Sequence, residues 1–213
     1  MTKKILITGA NGQLGHEMRN ALKGNNRFEC IFTDVAELDI CNAEAVKQII
    51  ADNHIDYIVN CAAYTQVDKA EDNAELCKKI NTDAVENLAR AAADYGARMI
   101  HISTDYVFNG RGYRPYTEDM VPDPQSVYGS TKLEGEKILT DICPESIIIR
   151  TAWLYSPCQN HAAFRRRTGG VIGSRRPDRH AHLCRRPRTS NPCHTASGYI
   201  RAGNIPFLRR RGM

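Results

Sequence analysis

From residue 158 onward, this 213-residue chain contains no lysine, no glutamate and a single acid, Asp178, against 13 arginines. Residues 1–157 read differently, with 16 Lys+Arg against 23 Asp+Glu. A balance of −7 therefore meets one of +12, and the mildly basic total of +5 describes neither part. No ordinary domain boundary produces so abrupt a change of composition. Other absences narrow the class further. No apolar run approaches the roughly 20 residues of a membrane span. The opening MTKKILITGANG is basic for two residues, but its apolar run is too short for a secretory leader. None of the eight cysteines lies in a CxxC pair, and Cys30, Cys41, Cys61, Cys77 and Cys143 are scattered through strand-like or helix-like stretches. Reduced, mostly buried thiols in a cytoplasmic protein are expected, with no metal site. No internal repeat is present.

What the first 157 residues do have is alternation. Lys4–Thr8 is a short apolar run that stops at a glycine cluster, as a buried parallel strand does. Gly12–Leu22 has helical spacing through Leu14, Met18, Ala21 and Leu22. Phe28–Thr33 reads as a second strand ending at Asp34, and Asn42 is placed to cap a helix carrying Ala45, Val46, Ile49 and Ile50 on one face. Tyr57–Ala62 is a third strand. Ala74–Tyr95 is a long Ala-rich helix closed by Gly96. Arg98–Ser103 is a fourth strand, followed by a Gly/Pro-rich loop from Phe108 to about Gln125. Ser126 caps a helix through about Leu139, and Ser146–Thr151 is a fifth strand. The pattern predicts an α/β fold, a doubly wound, Rossmann-like parallel sheet truncated after the fifth strand, with an irregular tail.

Three features carry chemistry. Gly9-Ala10-Asn11-Gly12-Gln13-Leu14-Gly15 is a GxxGxxG between the first strand and the first helix. There the backbone must turn tightly and approach a pyrophosphate, which the helix's free N–H groups and positive end bind. Asp34, at the end of the second strand, is placed to accept hydrogen bonds from an adenosine ribose, or to be a solvated loop acid. Taken alone it favours NADH over NADPH. Tyr128 and Lys132 stand at i and i+4 of one helix, so the lysine cation is expected to lower the phenol's pKa toward neutrality. Thr104 follows the fourth strand, where its hydroxyl either polarises a substrate carbonyl or caps a turn.

Together GxxGxxG, the threonine after the fourth strand and YxxxK resemble the extended short-chain dehydrogenase/reductases. NCAAYTQVDKAE (Asn60–Glu71), STDYVF (Ser103–Phe108) followed by Gly110, and RTAWLY (Arg150–Tyr155) narrow this to a resemblance to the dTDP-4-dehydrorhamnose reductase family, from about Lys4 to Pro157. The resemblance implies NADPH or NADH as cofactor and a dTDP-sugar as substrate. It implies that Gly9, Asn11, Gly12, Gln13 and Leu14 hold the pyrophosphate, that Asp39 and Ile40 lie by the adenine, and that Ala62, Ala63 and Tyr64 line the ribose and nicotinamide. Thr104 and Asp105 would touch the sugar and Trp153 the thymidine nucleotide. Thr104, Tyr128 and Lys132 would be catalytic, Tyr128 protonating the C4 oxygen and Lys132 supporting it, and Tyr128 and Lys132 would also bind the cofactor, the lysine at the nicotinamide ribose. The alternatives are a sugar-nucleotide epimerase or dehydratase of the same superfamily, and an inactive Rossmann domain with a polyanion-binding tail. A homodimer of the full-length family is left open by this sequence.

The resemblance stops at Pro157. Clusters such as Arg165-Arg166-Arg167 and Arg209-Arg210-Arg211 lie among Cys, His, Pro and Gly, without apolar periodicity. A polyanion-binding arm and a Cys/His metal site are two readings. Out-of-frame translation is the third, and the genetic code favours it. Permitted codons for RPDRHAHLCRRP (Arg176–Pro187), read with the first base dropped, give DQIGTPTYAADL. The same shift turns CQNHAA into VKTMLR and GNIPFLRRRGM into AIYHFSDEGV. All three resemble the family's carboxy-terminal half, in order. The expectation is a dinucleotide-binding domain over 1–157 and a tail over 158–213 with no fold of its own, no specific nucleic-acid partner and no membrane contact.

Overall fold

A computed structural model describes residues 2–154. The Arg-rich tail, with Cys158, Cys184 and Cys193, lies outside the described residues.

The chain runs β1 (Lys3–Thr8), α1 (Gln13–Leu22), β2 (Phe28–Phe32), α2 (Ala43–Asn53), β3 (Tyr57–Asn60), α3 (Val67–Asp72), α4 (Ala74–Lys78), a π-helical turn (Lys79–Asp83), α5 (Ala84–Tyr95), β4 (Arg98–Thr104), a 3-10 turn (Asp105–Val107), α6 (Val127–Ile142) and β5 (Ile147–Thr151). The strands form one all-parallel sheet in the order β2-β1-β3-β4-β5. The predicted fold class is therefore the observed one.

Side-chain alternation along the strands explains why both faces must be covered. Leu6, Ile58 and Met99 point to one face and pack with Val46 and Ile50 of α2 and Leu88 of α5. Ile5, Ile7, Val59 and Ile100 point to the other, against Met18 and Leu22 of α1. Each of these fully buried aliphatic side chains contributes about 2 kcal/mol relative to exposure. The caps read from the sequence are in place. Asn42 accepts from the Ala45 N–H and Ser126 from the Gly129 N–H, and Gly96 ends α5 at φ 70°.

One element differs from expectation. The helix predicted over Ala74–Tyr95 does start at Ala74, just after the short α3, but it passes through the π turn before continuing as α5. Within that turn the Asn81 side chain is almost fully buried. Sheet order reverses at β1, with β2 on one side and β3 on the other, so a crevice opens beyond the carboxyl ends of these strands.

Candidate active-site cleft

That crevice has a volume of about 1150 Å3. The turn after β1 forms its floor. Gly9 sits at φ +64°, and a Cβ there would lie 2.6 Å from the Ala62 backbone nitrogen, so the β1 and β3 loops meet only because residue 9 has no side chain. Gly12 is the N-cap of α1 and offers no side-chain acceptor, leaving the helix's first N–H groups without a side-chain cap. Those donors and the bare backbone fit a pyrophosphate. Asn11, Gln13 and Leu14 also line the cleft. The Gln13 amide donates to the Leu154 carbonyl oxygen at 2.9 Å and so ties the segment after β5 to this turn.

Asp34, Asp39 and Ile40 line the end of the cleft near β2. Asp34 does more than the sequence suggested, because its carboxylate accepts from the Asn11 N–H at 2.8 Å and from the Val35 N–H at 2.9 Å. It therefore braces the glycine turn from the neighbouring strand. Asp39 accepts from the Cys41 N–H at 2.9 Å. Ala62 and Ala63 line the middle. Tyr64 and Asp105 are not among the lining residues. Tyr64 packs instead with Ala70, Cys77 and Tyr128. Asp105 accepts from the Thr104 hydroxyl at 3.2 Å.

Thr104, Tyr128, Lys132 and Trp153 reach the cleft from β4, α6 and the segment after β5. Of the two roles weighed for Thr104 the structure contains the cap, its hydroxyl accepting from the Tyr106 N–H at 3.2 Å to start the 3-10 turn, and the same residue lines the cleft with Tyr128. Burial pushes the Tyr128 phenol above its ordinary range, and the nearby Thr104 hydroxyl offsets part of this. The expected lowering by a lysine cation is not what the structure contains. The Lys132 amine is directed elsewhere, 3.0 Å from His101 Nε2 and donating to the Ile102 carbonyl at 2.7 Å. Burial also brings that amine down to about 8.

Several polar residues behind the cleft were missed from the sequence. His101 is fully buried in β4, and burial first, then the Lys132 charge, holds its pKa well below the ordinary value. A histidine inside the apolar run RMIHIS was the available signal. Asn81 accepts from the Tyr64 N–H at 2.9 Å and donates to the Tyr64 carbonyl at 3.2 Å, which fixes the loop after β3. Ser103 donates to the Glu136 carboxylate, which also holds Arg150 at 2.7 Å. Burial pushes the Cys61 thiol up to about 12, and burial also raises Cys41, so neither cleft cysteine is a ready thiolate. The described cysteines are all free, but only Cys77 is fully buried, so most are less enclosed than expected.

A parallel sheet with a glycine turn at its reversal point, and a tyrosine, lysine and threonine facing that turn, defines a Rossmann-like protein of the extended short-chain dehydrogenase/reductase class. Comparison with known proteins narrows the class. The family described as "RmlD substrate binding domain" matches residues 3–167, ten residues past Pro157, and the chain belongs to this family. The chain is 44% identical over 163 residues to a dTDP-4-dehydrorhamnose reductase of Escherichia coli K12, covering 75% of this chain and 54% of that protein. The crystal structure of a dTDP-4-dehydrorhamnose reductase from Clostridium acetobutylicum superposes with TM-score 0.73 at 48% identity, over 78% of this chain and 59% of that one. One from Bacillus anthracis, in complex with NADP, gives TM-score 0.71 at 38% identity, over 73% and 55%. The chain thus spans about half the length of the curated relatives it matches. Among the described residues, no helix is long and apolar enough to cross a membrane.

Proposed function

We propose that residues 1–157 are the cofactor-binding half of a dTDP-4-dehydrorhamnose reductase, taking NADPH or NADH and acting on the C4 ketone of dTDP-4-dehydro-6-deoxy-L-mannose in the cytoplasm. The observation that carries this reading is the convergence of the uncapped N-terminus of α1, the Gly9 turn and the Thr104–Tyr128 pair on one cleft. The nicotinamide cofactor, when bound, supplies the hydride that reduces C4. The chain's own residues do the rest. Backbone N–H groups of Gln13 and Leu14 bind the pyrophosphate, and Asp34 holds the turn in shape while its remaining lone pairs face the adenosine ribose. Ala62 and Ala63 present a flat wall for the ribose and nicotinamide. Thr104 orients the sugar carbonyl beside the Tyr128 phenol, which donates its proton to the C4 oxygen and gives the alcohol of dTDP-L-rhamnose. Lys132 holds ribose hydroxyls and supports the phenolate left behind, and Trp153 covers the thymidine nucleotide.

As part of the same reading, the segment after Pro157 is out-of-frame sequence standing where the family's sugar-nucleotide half belongs. Turnover by this chain is then slight, and its contact with nucleic acid is unspecific. Calorimetric titration with NADPH and NADH is the test. Saturable binding of either, abolished by Gly9→Val, supports the reading, and no binding at millimolar cofactor overturns it. Assay of nicotinamide absorbance with the dTDP-ketosugar then measures how much chemistry the chain retains.

A further inference from the structure

Behind the cleft, four polar side chains form a chain through the middle of the sheet. Thr8 donates to the Asn60 Oδ1 at 2.7 Å, and the Asn60 Nδ2 faces His101 Nδ1 at 3.1 Å. His101 Nε2 then faces the Lys132 amine at 3.0 Å. All four are essentially sealed from solvent, so every hydrogen in the chain must be matched with an acceptor.

The hydrogens can be assigned from one end. The Ala62 N–H points at Asn60 Oδ1 at 3.1 Å, so the amide cannot be turned over without setting two donors against each other. Asn60 Nδ2 therefore donates, and His101 Nδ1 must accept. A neutral imidazole carries one N–H, which then has to reside on Nε2. That hydrogen points at Lys132. An ammonium has three donors and no lone pair, so it cannot accept it. A neutral amine can, while still donating to the Ile102 carbonyl.

We propose that His101 is a positioning residue that parks Lys132 as a neutral amine, and that binding of a nicotinamide dinucleotide draws in one proton and turns the resulting ammonium toward the cleft. The proton comes from solvent and ends on the Lys132 nitrogen. The charged lysine leaves the His101 N–H, keeps the Ile102 carbonyl, and finds its new acceptors in the ribose hydroxyls. The second half of this inference rests on the cofactor reading above, whereas the first half does not.

Burial points the same way, lowering Lys132 to about 8, while Glu136 and Cys77 oppose it. Glu136 lies one turn along α6 and is occupied by Arg150 of β5 and Ser103 of β4. Cys77 approaches from α4, and Tyr128 lies one turn back along α6. The His101 N–H adds a further push toward the neutral form.

The first measurement is an NMR titration of the ε-13C of Lys132 in the full chain without ligand, its resonance assigned by its loss in Lys132→Met. A midpoint below about 8 is expected, because an opposed donor and burial both disfavour the cation. Asn60→Asp supplies a carboxylate oxygen to His101 Nδ1, moves the ring hydrogen there, and turns Nε2 into an acceptor for the ammonium. The midpoint then rises by about one pH unit or more. His101→Gln, which can offer a carbonyl oxygen to Lys132, raises it in the same direction and serves if the aspartate variant does not fold. A wild-type lysine cationic through pH 10, or a midpoint unmoved in the folded variants, overturns the parking role. Calorimetry with NADPH at pH 8.5 in phosphate and in Tris reads the proton separately. Binding heats that differ by the ionisation heat of about one proton support uptake, and equal heats overturn it. Absence of binding overturns the cofactor reading, while the ligand-free titration still decides the role of His101.

Discussion

At the scale of single residues, the site is governed by burial more than by attraction between its charges. Tyr128 and Lys132 share a helical face, yet the phenol is raised by burial and the amine lowered by it. Tyr128 therefore keeps the proton it has to donate, while Lys132 is biased toward its neutral amine. Tyr128→Phe removes the phenolic proton that the proposed function delivers to the C4 oxygen, so whatever turnover the chain has should fall by about 1000-fold while cofactor binding stays within about twofold. Nicotinamide absorbance and calorimetry on the same sample check both halves, and unchanged turnover removes Tyr128 from the chemistry. Lys132 also leaves a mark on stability. Its folded value, about 8, is depressed from 10.5, so between these values the unfolded chain binds a proton that the folded one does not. Its contribution therefore strengthens as pH rises through this window, by about 1.4 kcal/mol per pH unit, and is lost again as pH falls toward 8. Urea unfolding at pH 8 and pH 10 should show this gain in the wild type relative to Lys132→Met. Parallel pH dependence in the two proteins would contradict it.

At the scale of elements, what could be read in advance was whatever is repeated or capped. The apolar runs of β1 to β5, Asn42, Ser126 and Gly96 each act through neighbours in sequence, and each stands where local chemistry puts it. The glycine turn was legible for the same reason. The π turn was not, because the run Ala74–Tyr95 has helical composition throughout, and its irregularity answers to partners distant in sequence, Tyr64 and Thr131. His101 was visible as a polar residue in an apolar strand, but its partner Lys132 lies 31 residues away, a pairing no local pattern announces. Likewise Asp34 could be assigned to the cleft but not to bracing Asn11, which depends on how β1 and β2 end together. The π turn has a measurable consequence. Asn81→Ala would leave the Tyr64 N–H and carbonyl without their side-chain partner inside the fold, which costs about 2 kcal/mol. The loop carrying Ala62 and Ala63 would loosen with it. A fall of that size in urea unfolding, together with weaker NADPH binding, is expected. Unchanged stability would mean that the turn does not hold this loop.

At the scale of the whole molecule, the proposed function makes the described cleft one wall of a larger site. Trp153, assigned to the nucleotide of the substrate, is 73% exposed at its edge. A sugar nucleotide held on one side only is poorly oriented, and orientation is where much of the rate of such a reaction originates. The charge pattern, −7 over residues 1–157 and +12 beyond, adds a second difficulty, because an arginine-rich segment attracts polyanions irrespective of their sequence. Both features follow from one lesion if the reading frame changes just after Pro157. Restoring that frame, so that translation continues into VKTMLR and later DQIGTPTYAADL, replaces the arginines and returns the family's second half at once. The frame-restored protein should bind NADPH at least as tightly as the present chain, lose salt-sensitive retention on heparin, and turn over the dTDP-ketosugar at least about 100-fold faster, as a gain in orientation requires. Side-by-side assay of the two proteins makes the comparison. Equal turnover would mean that residues 1–157 already hold all the chemistry. Retention on heparin that survives the repair would place the polyanion affinity in the Rossmann-like domain itself, against its own net negative charge.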